Sequence, residues 1–325
     1  MPTRPGLAVL MDPLETIKPA KDSTIAMLVA AARHGCQTWC FGQGDLSVRD
    51  GRAIARLIPI EVAGQGKNWF RTGESTVREL AGNVDAVLMR KDPPFDVEYV
   101  YTTYLLERAE QEGVLVVNRP QGLRDMNEKA YTAWFPDCCA PTLITRDMTA
   151  MQAFLEEHGR VVCKPLDGMG GRSIFVLEAG DLNARVVFET LTDYGARYAI
   201  AQRYLPEIAE TGDARILLVD GEPVPHALVR MPAPGDHRGN LAAGARASAR
   251  ALTDRDRWLC SRIGPVMRER GMLFVGLDVI GDFVTEINVT SPTGIRELES
   301  MHDHDIAGRL IDAVLARLPG GSGRT

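Results

Sequence analysis

Two polar side chains stand out on an apolar stretch near the end of the chain. Glu286 and Asn288 lie two residues apart within residues 283–289, a Val- and Ile-rich run that predicts a β-strand. Alternate side chains of a strand point to the same face, so both would face one side of the sheet. Carboxylate and amide oxygens suit Mg²⁺, and Asp278 on the preceding apolar run 273–280 offers a third such group. This pattern predicts a magnesium site on a β-hairpin. The alternative is a solvent-facing hairpin, which three polar groups inside apolar strands fit poorly.

The turn of this hairpin decides whether Asp278 joins the site. A two-residue turn at residues 281–282 would pair Asp278 with Thr285 and place Glu286 on the opposite face. A three-residue turn at residues 281–283 would set Asp278 directly across from Glu286. We predict the three-residue turn because the metal site requires it, and a strict two-residue turn would count against this assignment.

A glycine-rich segment follows a lysine in the middle of the chain. Residues 164–171 read Lys-Pro-Leu-Asp-Gly-Met-Gly-Gly between two apolar strand runs. Glycines let backbone N–H groups approach an anion closely, and the lysine adds positive charge, so the segment suits phosphate binding. A plain hairpin turn explains the segment equally well by itself. The pattern is neither a Walker A loop nor a Gly-x-Gly-x-x-Gly dinucleotide fingerprint.

Arginines form a third group of candidates. Arg215 and Arg230 fall on predicted strands, and Arg238 lies in the following loop, residues 232–246. The arginine side chain is a planar fork for carboxylate or phosphate oxygens, although any one of the three alone reads as a surface residue. The loop is long and rich in small residues, which is typical of lids that exclude water and also of disordered segments.

These residues need a scaffold, and the first third of the chain alternates strand and helix signals. The predicted elements are strands at residues 7–11, 84–89 and 114–117, and helices at residues 22–34 and 97–112. Asp22 can cap the first helix, and Gly35 follows its end. Such alternation predicts a mostly parallel sheet covered by helices, with ligands beyond the carboxyl ends of the strands. Asp12 and residues 90–95 would lie there.

From about residue 124 the pattern changes to short strands. We predict a helix at 128–135, strands at 142–144, 161–164, 173–177, 198–204, 214–219 and 223–229, a helix at 254–270, the hairpin at 273–289, and a final helix ending near residue 318. Residues 319–325 would form a frayed tail.

Composition excludes several classes of protein. The 325 residues carry a net charge of −6, which argues against a sequence-independent nucleic-acid binder, and 45% apolar with 25% charged residues is ordinary for a globular protein. We find no apolar run of the ~18 residues that a membrane span needs, and no signal peptide, so we expect a cytoplasmic protein. The six cysteines are scattered and predict reduced core thiols; Cys138 and Cys139 are adjacent. Residues 301–305, Met-His-Asp-His-Asp, could form a metal-binding cluster, but because no third ligand lies nearby in the sequence we favour the start of a helix.

Five motifs, taken in order, resemble bacterial glutathione synthetase, a family of ATP-grasp ligases. They are residues 89–95, 127–129, 164–171, 239–244 and 285–293, and the similarity extends from residue 11 to the last helix. The resemblance implies an α/β (α+β) fold. It would comprise an N-terminal parallel-sheet domain at 1–124, a first ATP-grasp subdomain at 125–200, a second at 201–318, and the tail at 319–325.

The resemblance also implies a role for each matching residue. Contacts to ATP are implied for Lys129, Lys164, Gly168, Met169, Gly170, Gly171, Gln202, Tyr204, Leu205 and Asp213. The lysines and glycines would meet the phosphates, residues 202–205 the adenine, and Asp213 the ribose. Mg²⁺, with Mn²⁺ as the alternative, would bind Asp278, Glu286 and Asn288. Arg215, Arg230 and Arg238 would face the transferring phosphoryl group, and the substrate pocket would include Arg90, Asn240, Ser291, Thr293 and Arg296.

The implied reaction ligates γ-glutamylcysteine to glycine through an acyl phosphate, giving glutathione, ADP and phosphate. The implied partners are therefore small molecules, with no nucleic acid and no membrane, and the implied assembly is a homo-oligomer, a tetramer or a dimer. The nearest alternative is another ATP-grasp carboxylate–amine ligase of the D-alanine–D-alanine or glutamate-adding type. A catalytically silent ATP-binding scaffold would tend to lose the metal carboxylates, and a nicotinamide-dependent oxidoreductase would need the missing phosphate fingerprint.

Overall fold

The computed structural model describes residues 4–63, 68–233 and 246–319. They fold into three β-sheets with helices packed on them. The eight strands of the first sheet are β1 (Gly6–Leu10), β2 (Gln37–Phe41), β3 (Leu46–Arg49), β4 (Arg52–Val62), β5 (Phe70–Thr72), β6 (Thr76–Glu79), β7 (Ala86–Met89) and β8 (Leu115–Val117). Strands β2, β1, β7 and β8 lie side by side in parallel. Strand β4 pairs antiparallel with β2, and β3, β5 and β6 pair antiparallel with β4.

The predicted parallel sheet is therefore right for its centre and wrong for its edge. Residues 46–79, for which we predict no element, fold into short hairpin strands around the long strand β4. Because hairpins need only short turns, they extend the sheet in the antiparallel sense without a helical crossover.

The second sheet is four-stranded and antiparallel. Its strands are β9 (Thr142–Thr145), β10 (Arg160–Pro165), β11 (Phe175–Glu178) and β12 (Ala199–Arg203), in the order β11-β10-β12-β9. Its apolar side chains, together with those of the two helices on it, form a hydrophobic cluster of their own that includes Leu155, Cys163 and Phe188.

The third sheet is antiparallel and carries the predicted metal hairpin. Its strands are β13 (Asp213–Val219), β14 (Glu222–Pro223), β15 (His226–Met231), β16 (Arg246–Ala251), β17 (Phe274–Ile280) and β18 (Phe283–Asn288). The order is β16-β15-β13-β17-β18, with β14 paired to β13. Core residues of this sheet, such as Leu217, belong to one cluster with Val9 of β1, so the first and third sheets share a hydrophobic core.

The described residues form nine α-helices, and four of them, at 23–33, 97–111, 254–269 and 306–315, lie where the sequence predicts a helix, whereas the other five were not predicted. The nine are α1 (Ser23–Arg33), α2 (Val97–Gln111), α3 (Pro120–Asp125), α4 (Met148–His158), α5 (Ala184–Thr192), α6 (Ile208–Thr211), α7 (Asp254–Glu269), α8 (Ile295–Met301) and α9 (Ile306–Leu315). As predicted, the Asp22 side chain caps α1 by accepting from the N–H groups of Thr24 and Ile25, and Gly35 follows in the left-handed region with φ of 75°.

The helix predicted at residues 128–135 is wrong. The structure has a short 3₁₀ helix, Ala130–Trp134, in its place. The Asn127 side chain explains the difference, because its Oδ1 accepts hydrogen bonds from the N–H groups of Lys129 and Ala130 and so folds the entry into a tight turn. The same side chain donates to the carbonyl of Leu166, which fixes the turn beside the glycine-rich segment.

All six cysteines are described, and each is a buried free thiol, as predicted. Within the described residues, the helices are too short or too polar to cross a membrane.

Candidate active site

Two adjoining cavities lie where the sheets meet, and most of the predicted site residues line them. The larger has a volume of about 260 Å³ and the smaller about 90 Å³, and they share Lys164, Ile174 and Glu286. Predicted residues on the larger cavity are Lys129, Lys164, Gly168, Met169, Gly170, Gly171, Arg215, Arg230, Glu286, Asn288, Ser291 and Thr293. Those on the smaller are Lys164, Gln202, Tyr204, Leu205, Asp213, Asp278 and Glu286.

The hairpin turn differs from the prediction. Ile280 pairs with Phe283, so the turn has two residues, Gly281 and Asp282, and the predicted three-residue turn is wrong. Gly281 adopts φ of 56°, which glycine tolerates without a steric penalty and which suits so tight a turn.

A β-bulge nevertheless brings the two carboxylates together. The register shifts between Asp278 and Val279, so that Val279 pairs with Val284 while Asp278 pairs with Glu286. Thr285 is the extra residue, and its Oγ1 donates to the Asp278 carbonyl at 3.3 Å. A bulge inserts one extra residue into one strand, which shifts the pairing by one residue. Asp278 and Glu286 therefore lie on the same face of the sheet, which a two-residue turn without a bulge would not allow.

Asn288 is oriented toward the same site by the opposite strand. Its Nδ2 donates to the Gly276 carbonyl at 3.2 Å, which leaves Oδ1 available as an acceptor or ligand. A Cβ at Gly276 would lie 3.2 Å from Cδ of Arg215, so glycine at this position lets the arginine lie flat against the strand.

Asp278 is the centre of a buried ion-pair network. Arg215 donates to it in a bidentate manner, with Nε–Oδ1 and Nη2–Oδ2 distances of 2.7 Å, and Arg230 Nη2 lies 3.0 Å from Oδ1. Burial alone would raise the pKa of Asp278, but the two guanidinium groups hold it well below its usual range. Arg230 also donates to Asp213 at 2.5 Å, where burial outweighs the arginine and raises the pKa of the Asp213 carboxyl.

Glu286 joins the two predicted phosphate lysines. Its Oε1 lies 3.3 Å from Lys164 Nζ and 3.8 Å from Lys129 Nζ, and these lysines lower the Glu286 pKa against the opposing effect of burial. Lys129 also pairs with the neighbouring Glu128 and donates to the Gly168 carbonyl at 2.6 Å. The lysine thereby ties the glycine-rich segment to the hairpin.

Four buried polar atoms at the cavities have no hydrogen-bond partner among the described residues. They are Arg203 Nε and Asp213 Oδ1 beside the smaller cavity, and Arg230 Nε and Glu297 Oε2 beside the larger one. An unsatisfied buried polar group costs about 1–3 kcal/mol, so these atoms fit a site that is completed by a polar ligand or ordered water.

The predicted substrate residues divide into two groups. Ser291 and Thr293 line the larger cavity, while Arg296 on α8 lines neither cavity. Arg90 is buried and lines neither, and it donates to Thr24 Oγ1 and to the Pro292 carbonyl, both at 3.1 Å. This places Arg90 behind the cavity wall, where it anchors the segment that carries Ser291 and Thr293. Arg238 and Asn240 lie outside the described residues, as does most of the loop at 232–246.

Three acidic residues of the larger cavity were not predicted. Asp92, Glu128 and Glu297 line it together with the lysines and arginines. Burial raises the pKa of both Asp92 and Glu128, and Glu286 adds to the effect on Glu128. Asp92 and Glu128 lie inside motifs quoted above, which was a usable signal, whereas Glu297 sits on a helix with no local motif.

The two cavities differ in chemistry. The larger gathers lysine and arginine side chains beside glycine backbone, which suits a polyanion. The smaller adds apolar walls from Val162, Ile174, Val176, Ile280 and Val284 together with the buried amide of Gln202, which suits a flat apolar ring with polar edges. The carboxylate and amide oxygens at the junction are a hard, oxygen-only donor set that fits Mg²⁺ and disfavours softer metals.

Comparison with known proteins agrees with this chemistry. Residues 6–124 match the family model described as prokaryotic glutathione synthetase, N-terminal domain, and residues 128–303 match prokaryotic glutathione synthetase, ATP-grasp domain. The glutathione synthetase of Pseudomonas putida is 53% identical over 312 residues, covering 96% of this chain and 98% of the relative. That of Pseudomonas syringae pv. tomato is 52% identical over 317 residues, covering 98% and 99%. The crystal structure of D-cycloserine synthetase DcsG aligns with a TM-score of 0.69 at 17% identity over 97% of this chain and 100% of that one, a likeness of fold alone.

Proposed function

This chain belongs to the prokaryotic glutathione synthetase family of ATP-grasp ligases, and on that premise we propose that its two cavities ligate γ-glutamylcysteine to glycine through an acyl phosphate. The family implies that the chain uses ATP, and the expected fold class is confirmed. The observation that carries the proposal is the junction of the cavities, where Asp278 and Glu286 lie among four cationic side chains.

The nucleotide would span both cavities. Adenine would occupy the apolar smaller cavity along residues 202–205, and Asp213, whose Oδ1 lacks a partner among the described residues, would accept a hydrogen bond from a ribose hydroxyl. The phosphates would then reach Lys129, Lys164 and the backbone of residues 168–171 in the larger cavity. In this arrangement Lys164, which borders both cavities, marks the start of the phosphate chain.

Asp278, Glu286 and Asn288 would hold Mg²⁺, with Mn²⁺ as the alternative. The ion, when bound, would neutralise charge on the phosphates during transfer. In the described structure these carboxylates are paired with arginine and lysine. Metal binding would therefore release Arg215 and the lysines from the carboxylates and leave them free to contact the nucleotide and substrate.

The chemical step needs activation of a carboxylate, because its oxide is a poor leaving group. An oxygen of the cysteinyl carboxylate attacks the γ-phosphorus, the bond to ADP breaks, and an acyl phosphate forms. Phosphoryl transfer depends mainly on positioning and on charge neutralisation, which Arg215 and Arg230 supply at the cavity wall. No nucleophile from the protein is required.

The second step forms the peptide bond. The neutral amine of glycine attacks the acyl carbon, the bond from carbon to the bridging oxygen breaks, and phosphate leaves with that oxygen while the amine loses its proton. The same arginines would stabilise the negative charge of the tetrahedral intermediate. Ser291 and Thr293 on the wall, with Arg90 anchoring them, would position the peptide, while Arg238 and Asn240 keep their proposed roles over the acyl phosphate and in the substrate pocket. Arg296 retains a proposed role at the substrate end of α8.

We extend the proposal to the organisation of the chain. The proposed division is 1–124, 125–200 and 201–318, and the separate core of the second sheet supports treating that sheet as a subdomain, although the boundary after residue 200 falls inside its strand β12. A cytoplasmic homo-oligomer, tetramer or dimer, completes the proposal.

Phosphate release from ATP tests the substrate assignment. Purified protein is assayed with γ-glutamylcysteine and glycine, and with a panel of other acid and amine pairs that includes D-alanine. We expect release to require γ-glutamylcysteine and glycine together, with glutathione formed in equal amount. Turnover that requires only D-alanine would reject the substrates, and ATP binding without turnover on any pair would reject the ligase activity.

A further inference from the structure

Three histidines that are distant in the sequence meet on the third sheet. His226, His302 and His304 each place a ring nitrogen so that the three nitrogens lie within 4.8 Å of one another. His226 Nδ1 and His304 Nε2 are 2.8 Å apart, and the rings of His226 and His302 stack with centroids at 3.8 Å. All three side chains are partly buried.

The fold holds the three imidazoles from two sides. His226 begins β15, while His302 directly follows α8 and His304 precedes α9, and the His304 N–H donates to the His302 carbonyl at 2.8 Å. Helix α9 is tied to the strand side of the cluster, since Arg309 donates to the Pro223 carbonyl at 3.3 Å. The cluster is therefore built from the start of one strand and the short connection between two helices.

The geometry suits a divalent transition metal. Zinc binds imidazole nitrogen at about 2.0–2.1 Å, which puts ligand nitrogens about 3.3 Å apart in a tetrahedron. The present separations, from 2.8 Å for the closest pair to at most 4.8 Å, bracket that spacing. Among the ion pairs formed within residues 4–63, 68–233 and 246–319, none involves these histidines, so no carboxylate occupies the nitrogens. Three nitrogen ligands leave one position open to water.

The cluster is distinct from the catalytic cleft. None of the three histidines lines either cavity. Arg230 lies four residues beyond His226 along β15, which is about 13 Å at the rise of a strand. Imidazole ligands also select different metals from the oxygen-only set at Asp278 and Glu286.

We propose that His226, His302 and His304 bind one divalent transition-metal ion of the zinc class and thereby join β15 to the connection between α8 and α9. The ion would stabilise the folded state, because it would cross-link a strand and a loop that are about 76 residues apart in the chain. This site is separate from the magnesium site and does not depend on the proposed ligase reaction.

The test measures Zn²⁺ binding to full-length, metal-stripped protein without a histidine tag, by competition with a chromophoric chelator. We expect one tightly bound ion per chain, with affinity at least about tenfold weaker in His226→Gln, His302→Gln and His304→Gln. His158→Gln on α4 is the matched control, and Glu286→Gln controls for binding in the cleft; both should retain the affinity of the parent. Co²⁺ in place of Zn²⁺ should give the visible absorption of a tetrahedral site.

The proposal is overturned if the three variants bind Zn²⁺ as tightly as the parent, or if only Glu286→Gln loses the ion. Circular dichroism and the melting temperature of the metal-free proteins establish that each variant is folded. A second readout is the melting temperature with added Zn²⁺, which should rise for the parent and for His158→Gln but not for His226→Gln. An equal rise in all of them would contradict the site.

Discussion

Asp278 lies directly across from Glu286 although the hairpin that joins their strands turns in only two residues. A regular hairpin with that turn would pair Asp278 with Thr285 and direct Glu286 to the other face. The extra residue at Thr285 turns Glu286 back to the face of Asp278, and so the bulge allows both carboxylates to reach the junction of the cavities. Bulges commonly redirect side chains next to active sites, and this one directs Glu286 into the candidate site.

The bulge can be tested by changing the length of β18 by one residue. Deleting Thr285 converts the hairpin to a regular ladder in which Glu286 still faces Asp278, so we expect ligase activity within about tenfold of the parent. Inserting one alanine between Thr285 and Glu286 takes Glu286 out of register with Asp278, because Glu286 then pairs with Leu277 on the opposite face if the bulge stays, or with Gly276 if the ladder becomes regular. In either case activity should fall by about 10³-fold or more. Steady-state kinetics and circular dichroism on both variants check this. Equal loss in two folded variants would show that the pairing is not what matters.

Lys164 borders both cavities and offers a test of nucleotide placement. Lys164→Met keeps the length and apolar stem of the side chain but removes the charge, and we expect kcat/KM for ATP to fall by at least about 10²-fold. Lys21→Met, at an exposed position before α1, is the matched control and should behave as the parent. Unchanged ATP kinetics in a folded Lys164→Met protein would remove the lysine from the phosphate site.

Helix α7 begins with a capping box that predicts a pH-dependent stability. The Asp256 carboxylate accepts from the Thr253 N–H at 2.8 Å and pairs with Arg250, and Thr253 Oγ1 accepts from the Asp256 N–H at 3.1 Å. Burial opposes ionisation, but these partners lower the pKa of Asp256 below its usual value. We expect Asp256→Asn to lower the free energy of unfolding by about 1–2 kcal/mol at pH 7.

The lowered pKa gives the sign of the pH effect. Asp256 contributes stability above its unfolded pKa of about 4 and loses it as the pH falls through the folded pKa. The difference between the parent and Asp256→Asn should therefore be constant near neutral pH and narrow below about pH 4. Urea unfolding across this range measures it, with Asp254→Asn, an exposed aspartate two residues before Asp256, as the control. A stability difference between the parent and Asp256→Asn that grows at acid pH would contradict the stabilising role of the ionised Asp256.

How far the sequence predicts this protein depends on the range of the contacts involved. Helix α1 follows from Asp22 and Gly35, since caps act on adjacent backbone groups. The 3₁₀ helix after Lys129 and the bulge at Thr285 were missed because each depends on a single side chain or residue competing with a regular pattern. His226 could not be connected to residues 301–305 from the sequence, because only the third sheet brings them together.

The same limit applies within the site. Lysines, arginines and carboxylates were found from motifs, but their mutual pairing was not, because Arg215 contacts Asp278 only through the register of β13 and β17. Arg90 illustrates the reverse case. Its motif points to the cleft, yet its guanidinium is used by Thr24 and by the Pro292 carbonyl, so its contribution is to position the wall.

The most direct test of the account follows an oxygen atom. The protein is given ATP, glycine and γ-glutamylcysteine labelled with ¹⁸O in the cysteinyl carboxylate, and the phosphate and peptide products are analysed by mass spectrometry. If the cleft phosphorylates that carboxylate and the glycine amine then displaces phosphate, each glutathione formed is accompanied by one phosphate carrying one ¹⁸O. Glutathione formed with unlabelled phosphate, or ATP consumed without glutathione, would contradict the account.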